Sequence, residues 1–69
     1  METMSDLNVH VKDSEIFVTQ SGQGFFAIYQ KARYESALIA EERFYGPRTF
    51  LSRAWNAANI RARELGWTV

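Results

Sequence analysis

The chain has no cysteine, a single proline and a single histidine, and each shortage narrows what the protein can be. Without cysteine, neither a disulfide nor a thiolate metal site can stabilise the 69 residues. A chain of this length has room for one hydrophobic core and buries only about 60% of its unfolded surface. Its stability must therefore come from packing or from a partner.

Long apolar runs are missing as well. No segment approaches the roughly 18 consecutive apolar residues that identify a membrane-spanning helix. The opening METMSDLNVH also lacks the basic and apolar regions of a secretion signal. We therefore expect a soluble, cytoplasmic protein with no membrane partner.

Residues suited to catalysis are scarce. His10 is the only histidine, and no activated serine or third orienting group stands out beside it. Glu41 and Glu42 are adjacent, so in a strand they would face opposite sides and could not act as an acid/base couple. The glycine-rich stretch SGQG lacks the lysine of a phosphate loop. We expect no enzyme, no metal or other cofactor, and no small-molecule substrate.

Charge is balanced overall but unevenly placed. The formal net charge is zero. The first 30 residues hold four acids against Lys12, whereas the remainder holds seven lysines and arginines against four glutamates. Such asymmetry can mark a basic face for an anionic partner. The overall balance nevertheless argues against a strong, non-specific nucleic-acid binder.

The stretch SEIFVTQSGQGFFAIYQK predicts a β-hairpin. Two β-rich runs, Glu15–Gln20 and Phe25–Lys31, flank a turn whose glycines permit positive φ angles. If Gln20 lies opposite Phe25, alternate residues sort onto two faces. One face then holds Ile16, Val18, Phe25, Ala27 and Tyr29, and the other holds Phe17, Thr19, Phe26 and Ile28.

Both faces of this predicted hairpin are apolar. A sheet with one face in water should instead alternate between apolar and polar residues. Either two layers cover the sheet, or one face meets another chain.

The segment before Gly46, ARYESALIAEERFYG, fits two structures. Its alanine, leucine, glutamate and arginine content favours a helix, whereas a third strand around Ser36–Glu42 would give the hairpin the support it needs. We favour the strand, preceded by a turn at Ala32–Glu35. Whether residues 33–45 form a strand or a helix is left open by the sequence.

The final segment predicts a helix that begins at Pro47 or Arg48, because proline is tolerated in the first helical turn. Gly66 should stop it after Leu65. At helical spacing, one apolar stripe faces the sheet. The stripe consists of Leu51, Ala54, Trp55, Ala58, Ala62 and Leu65.

These elements predict a small two-layer α+β domain in the order β-β-β-α, with a possible extra amino-terminal strand in NVHVKD. The sheet would be antiparallel and packed by the single carboxy-terminal helix. We expect residues 1–7 to be flexible and residues 8–69 to form one domain.

Two functions are compatible with this layout. The leading hypothesis is a small non-enzymatic accessory protein of bacterial or phage type that acts by binding, as a homodimer or with another protein. One helix covers only one face of the sheet, so the other would expose an unusually large apolar patch. The interface would use Phe17, Phe26 and Ile28.

The alternative is a nucleic-acid-binding module. Opposite the apolar stripe, Ser52, Asn56, Asn59 and Arg63 form a polar ridge with Arg53 beside it. Asparagine and arginine suit bidentate contacts to base edges in a major groove. A protein that binds duplex DNA usually has several lysines or arginines that contact phosphates. This helix offers few of them, so an ordinary solvent-exposed helix surface explains the same ridge.

Overall fold

Four antiparallel strands and one carboxy-terminal helix make up the fold in the computed structural model, which describes residues 7–68. The strands follow one another across a single sheet in chain order. They are β1 (Leu7–Lys12), β2 (Glu15–Gln20), β3 (Phe26–Lys31) and β4 (Leu38–Tyr45), and the helix is α1 (Arg48–Glu64).

The predicted α+β class is confirmed, and the possible amino-terminal strand is present as β1. The expectation of a flexible segment at residues 1–7 falls outside the described residues, apart from Leu7, which opens β1 and packs against the core.

The β2–β3 hairpin has the predicted register. The Gln20 amide donates to the Phe25 carbonyl at 3.2 Å, and Val18 lies opposite Ala27. Gly22 in the turn has φ +79°, a value that glycine adopts without strain. Alternate residues therefore point to the two faces as the sequence predicts.

The segment between the hairpin and α1 is a strand, so the helical alternative for residues 33–45 is wrong. Its pairing with β3 is irregular: Tyr29 lies opposite Ala40, whereas Ala27 lies opposite Phe44. Residues 41–43 of β4 therefore lie opposite a single residue of β3, Ile28. This bulge bends the strand locally.

The core lies between α1 and the face of the sheet that we call the inner face. Ala54, Ala58 and Ala62 are fully buried along the helix, and their small side chains let α1 sit close to the strands. Phe50 fills the space at the start of the helix. The sheet contributes Ile16, Val18, Ala27, Tyr29 and Leu38.

The apolar stripe of α1 differs from the predicted one at two positions. Phe50, which the prediction omits, is 1% exposed, whereas Trp55, which it places in the core, is 42% exposed. The cause is the position of the helix, which packs mainly on β2 with β1 and β3 beside it. Trp55 lies toward β4, and its ring contacts Tyr29 at a centroid distance of 5.6 Å.

The end of α1 confirms the predicted stop at Gly66. Its φ is +80°, and its amide donates to the Arg63 carbonyl at 3.1 Å. The Trp67 amide donates to the Ala62 carbonyl at 2.8 Å. These two bonds form a Schellman motif, and Trp67 packs against the core as the accompanying hydrophobic contact.

Truncating the two large aromatic residues of α1 should have unequal effects on the free energy of unfolding. We expect Phe50→Ala to cost about 3–5 kcal/mol, because it leaves a cavity in the core. Trp55→Ala should cost only about 1–2 kcal/mol, because much of its ring is already in water. Urea unfolding curves measure both, and equal costs would contradict this placement of α1.

Candidate functional site

The side of the sheet away from α1, which we call the outer face, has no described element packed over it. The strand register arranges its side chains in rows across the sheet. One row holds Asn8, Thr19, Phe26 and Tyr45, the next holds His10, Phe17 and Ile28, and the last holds Lys12, Glu15, Gln30 and Ile39.

The structure brings together the three residues predicted for an interface. Phe17 lies opposite Ile28, and Phe26 lies two residues before Ile28 on the same face. Phe26 is 37% exposed and Phe17 is half-buried, but Ile28 is only 6% exposed. Ile28 therefore forms the floor of this patch, and the two phenyl rings offer its contact area. We call the three residues the outer patch.

Charged side chains border the outer patch on the β4 side. The Arg43 Nε donates to Glu41 Oε1 at 3.1 Å, and Arg43 Nη2 lies 3.9 Å from Glu15 Oε2. Gln30 Nε2 donates to the same Glu15 oxygen at 3.3 Å. The Arg43 guanidinium lowers the pKa of Glu41, and Glu41 in turn raises the pKa of Arg43. The second Glu41 oxygen, Oε2, is buried and has no hydrogen-bond partner among the described residues.

A second apolar region lies on the inner face beside β4, where α1 leaves the sheet uncovered. Ala40 and Phe44 of β4 and Leu51 and Trp55 of α1 line a groove of about 200 Å³, with Tyr29 also in its lining. Phe44 is 51% exposed. The sequence pattern did not indicate this groove, because helical spacing places Trp55 in the core and the structure of residues 33–45 stayed open.

The ridge predicted for nucleic acid lies on the solvent side of α1. Arg53, Asn56 and Arg63 are exposed, and neither arginine forms an ion pair with any residue between 7 and 68. Asn59 is half-buried, and its Nδ2 donates to the Trp55 carbonyl oxygen at 2.9 Å. Three of the four side chains are therefore exposed to a ligand, whereas Asn59 is partly committed to its own helix.

A wide cleft with a mixed lining lies where the β1–β2 turn approaches the β3–β4 loop. It measures about 650 Å³, and its lining mixes acids such as Asp13 and Glu35 with the bases Lys31 and Arg33. This mixture favours no single class of ligand. Within residues 7–68, no group of three metal-binding side chains converges.

The fold and these surfaces define a class: a four-stranded antiparallel meander with one covering helix and two exposed apolar regions. No family model matches the chain, and neither curated proteins nor solved structures show a significant match. In the described part of the chain, no helix combines the length and apolarity needed to cross a membrane.

The Glu41–Arg43 pair should make stability depend on acidity. The pKa of Glu41 is lower in the folded chain than its ordinary 4.5. The ion pair therefore stabilises the fold fully above pH 4.5, and this stabilisation is lost as the pH falls through the lowered pKa of Glu41. Glu41→Gln should therefore reduce the loss of thermal midpoint on acidification. The measurement is the unfolding midpoint across a pH series.

Arg43→Leu provides the matching comparison, because it removes the cation that lowers the pKa of Glu41. It should flatten the same acid branch of the profile. If both variants follow the wild-type profile, the pair makes no contribution to stability.

Proposed function

We propose that this protein acts by binding rather than by catalysis, and that two copies of the chain associate through the outer patch. The observation that carries the proposal is the position of the helix. α1 covers the inner face only, while Phe17 and Phe26 lie on the opposite side of the sheet with no described element over them.

Apolar burial supplies the driving force for this association. Each square ångström of apolar surface removed from water contributes about 25 cal/mol, and two large rings on each copy would be removed together. A chain of 69 residues has a small core, so burial at an interface would also add to its marginal stability.

Charge favours a second copy over a strongly charged partner. The chain has no net charge, so two copies do not repel at long range. Lys12 and Glu15 lie opposite each other at one end of the outer face, so its border carries both signs. A two-fold arrangement can place such a mixed border against itself.

Replacing an exposed ring of the outer patch by a charge should prevent this association. We expect wild-type protein to show a doubled mass in light scattering and Phe26→Glu to show a lower state of association, because a carboxylate would be buried in the interface. Phe26 is the better choice than Phe17 because it is more exposed in the single chain, so the fold should tolerate the change.

Ser52→Glu is the matched control, since it adds the same charge at an exposed position on the far side of α1. It should leave the mass unchanged. A wild-type mass of one chain at high micromolar concentration would contradict the proposal.

A second candidate function is binding of a nucleic-acid duplex by the ridge of α1. What favours it is the pair of exposed arginines, Arg53 and Arg63, which lack ion-pair partners within residues 7–68 and lie about 15 Å apart along the helix. Asn56 lies between them and could reach a base edge, while the arginines contact phosphates.

Salt dependence tests this candidate. We expect binding of a labelled duplex to weaken as salt rises, and the slope of log K against log salt to become shallower by about 1 in Arg53→Gln and in Arg63→Gln, because each variant binds one phosphate fewer. Arg61→Gln is the control, because Arg61 is paired with Glu64 at 3.1 Å. Absence of binding at low salt would exclude the candidate.

A further inference from the structure

Exposed apolar side chains concentrate around β4, which is an edge strand of the sheet. Ile39, Phe44 and Tyr45 of β4 are each more than half exposed, and Trp55 of α1 lies beside Phe44. The other edge strand, β1, has only Val11 among the large exposed hydrophobic residues of the described chain. An unpaired edge with apolar side chains is a site where another strand can add.

The order of residues in β4 identifies the strand that fits. Read as LIAEERFY, it has apolar residues at both ends and acids followed by a base in the middle. We infer that β4 pairs antiparallel with β4 of a second copy, with Glu42 of each copy at the two-fold axis. The inference concerns a surface separate from the outer patch and goes beyond the proposed function.

This register matches every neighbouring pair by chemistry. Glu41 lies opposite Arg43 of the second copy, and Arg43 opposite its Glu41. The outer pairs follow in both directions: Ala40 opposite Phe44 and Ile39 opposite Tyr45. Directly opposed acid–base and apolar pairs stabilise antiparallel strands.

The adjacent registers that keep each residue on its own face do not fit. A register centred on Glu41 places Ile39 of one copy opposite Arg43 of the other and brings the two Glu41 side chains together. A register centred on Arg43 places the two Arg43 side chains together and Glu42 opposite Phe44. Only the register centred on Glu42 pairs apolar with apolar and acid with base.

The same register fills the groove beside α1. Phe44 of the second copy, lying opposite Ala40, enters the groove that Ala40 shares with Leu51 and Trp55. The small side chain of Ala40 leaves room for the incoming ring, and the two-fold axis repeats the contact on the other copy. The exposed half of Trp55 is thereby covered.

Charges and bulges in the middle of an edge strand often prevent pairing. In β4 the charged residues instead determine the register. When a second β4 runs antiparallel to the first, Glu41 of each copy lies opposite Arg43 of the other. The one unfavourable contact is Glu42 against Glu42 at the axis. This contact provides the test, since Glu42 is exposed and forms no ion pair with any other described residue.

A charge-complementation experiment tests the contact between the two Glu42 side chains directly. A Glu42→Lys chain is mixed with isotope-labelled wild-type chain, and the mixed and unmixed pairs are counted by native mass spectrometry. We expect mixed pairs clearly above the statistical share of about one half, because lysine then faces glutamate at the axis. Glu42→Gln should tighten self-association by up to about five-fold. Glu35→Lys is the control, because it reverses an exposed charge in the β3–β4 loop, away from the two-fold axis. Its mixture with wild-type chain should contain mixed pairs only at the statistical share.

Repeating the mixture in Phe26→Glu chains separates this inference from the proposed function. Preferential mixed pairing that persists there supports the β4 contact whether or not the outer patch associates. A different result would overturn the β4 contact and support the outer patch. In that case Phe26→Glu abolishes pairing, and wild-type and Glu42→Lys chains form mixed pairs only at the statistical share. Single chains in every mixture would overturn both, and an assembly of four copies with preferential mixing would support both.

Discussion

One constraint governs this fold: a single helix has to shelter a sheet of four strands. α1 lies mainly over β2 with β1 and β3 beside it, so within the described chain it leaves the outer face uncovered and covers the inner side of β4 only in part, with Leu38 buried and Phe44 exposed. A helix is only about 10–12 Å across with its side chains, whereas four strands at about 4.8 Å spacing span more. The exposed apolar regions are the direct consequence.

The core is adapted to this limited cover. Three alanines on α1 bring the helix backbone close to the sheet, so that Ile16 and Val18 are fully buried. At the junction of β4 and α1, the backbone approaches Phe50 so closely that a Cβ on Gly46 would lie 2.6 Å from the Cδ2 of its ring. Glycine at this position lets the chain turn from the sheet onto the core. Close packing therefore compensates for the small size of the core.

The two surfaces proposed for association differ in chemistry. The outer patch offers two rings over a buried isoleucine, whereas β4 offers a backbone edge, an apolar groove and a charge pattern that matches its own reverse. Apolar burial gives affinity without direction. Strand pairing adds direction, because each residue must meet a defined partner. The two contacts can therefore exist together or separately.

Local patterns in the sequence determined the β2–β3 hairpin, its register and the stop of α1 at Gly66, because turn glycines and strand alternation act over a few residues. They also predicted that Phe17, Phe26 and Ile28 share a face. The need of a bare hairpin for a third strand already favoured a strand between residues 33 and 45, but their composition also fits a helix, and it is the pairing with β3 in the tertiary structure that settles residues 38–45 as a strand. It also decided that Phe50 is buried and Trp55 exposed, because the sideways position of a helix on a sheet depends on long-range packing rather than on helical spacing.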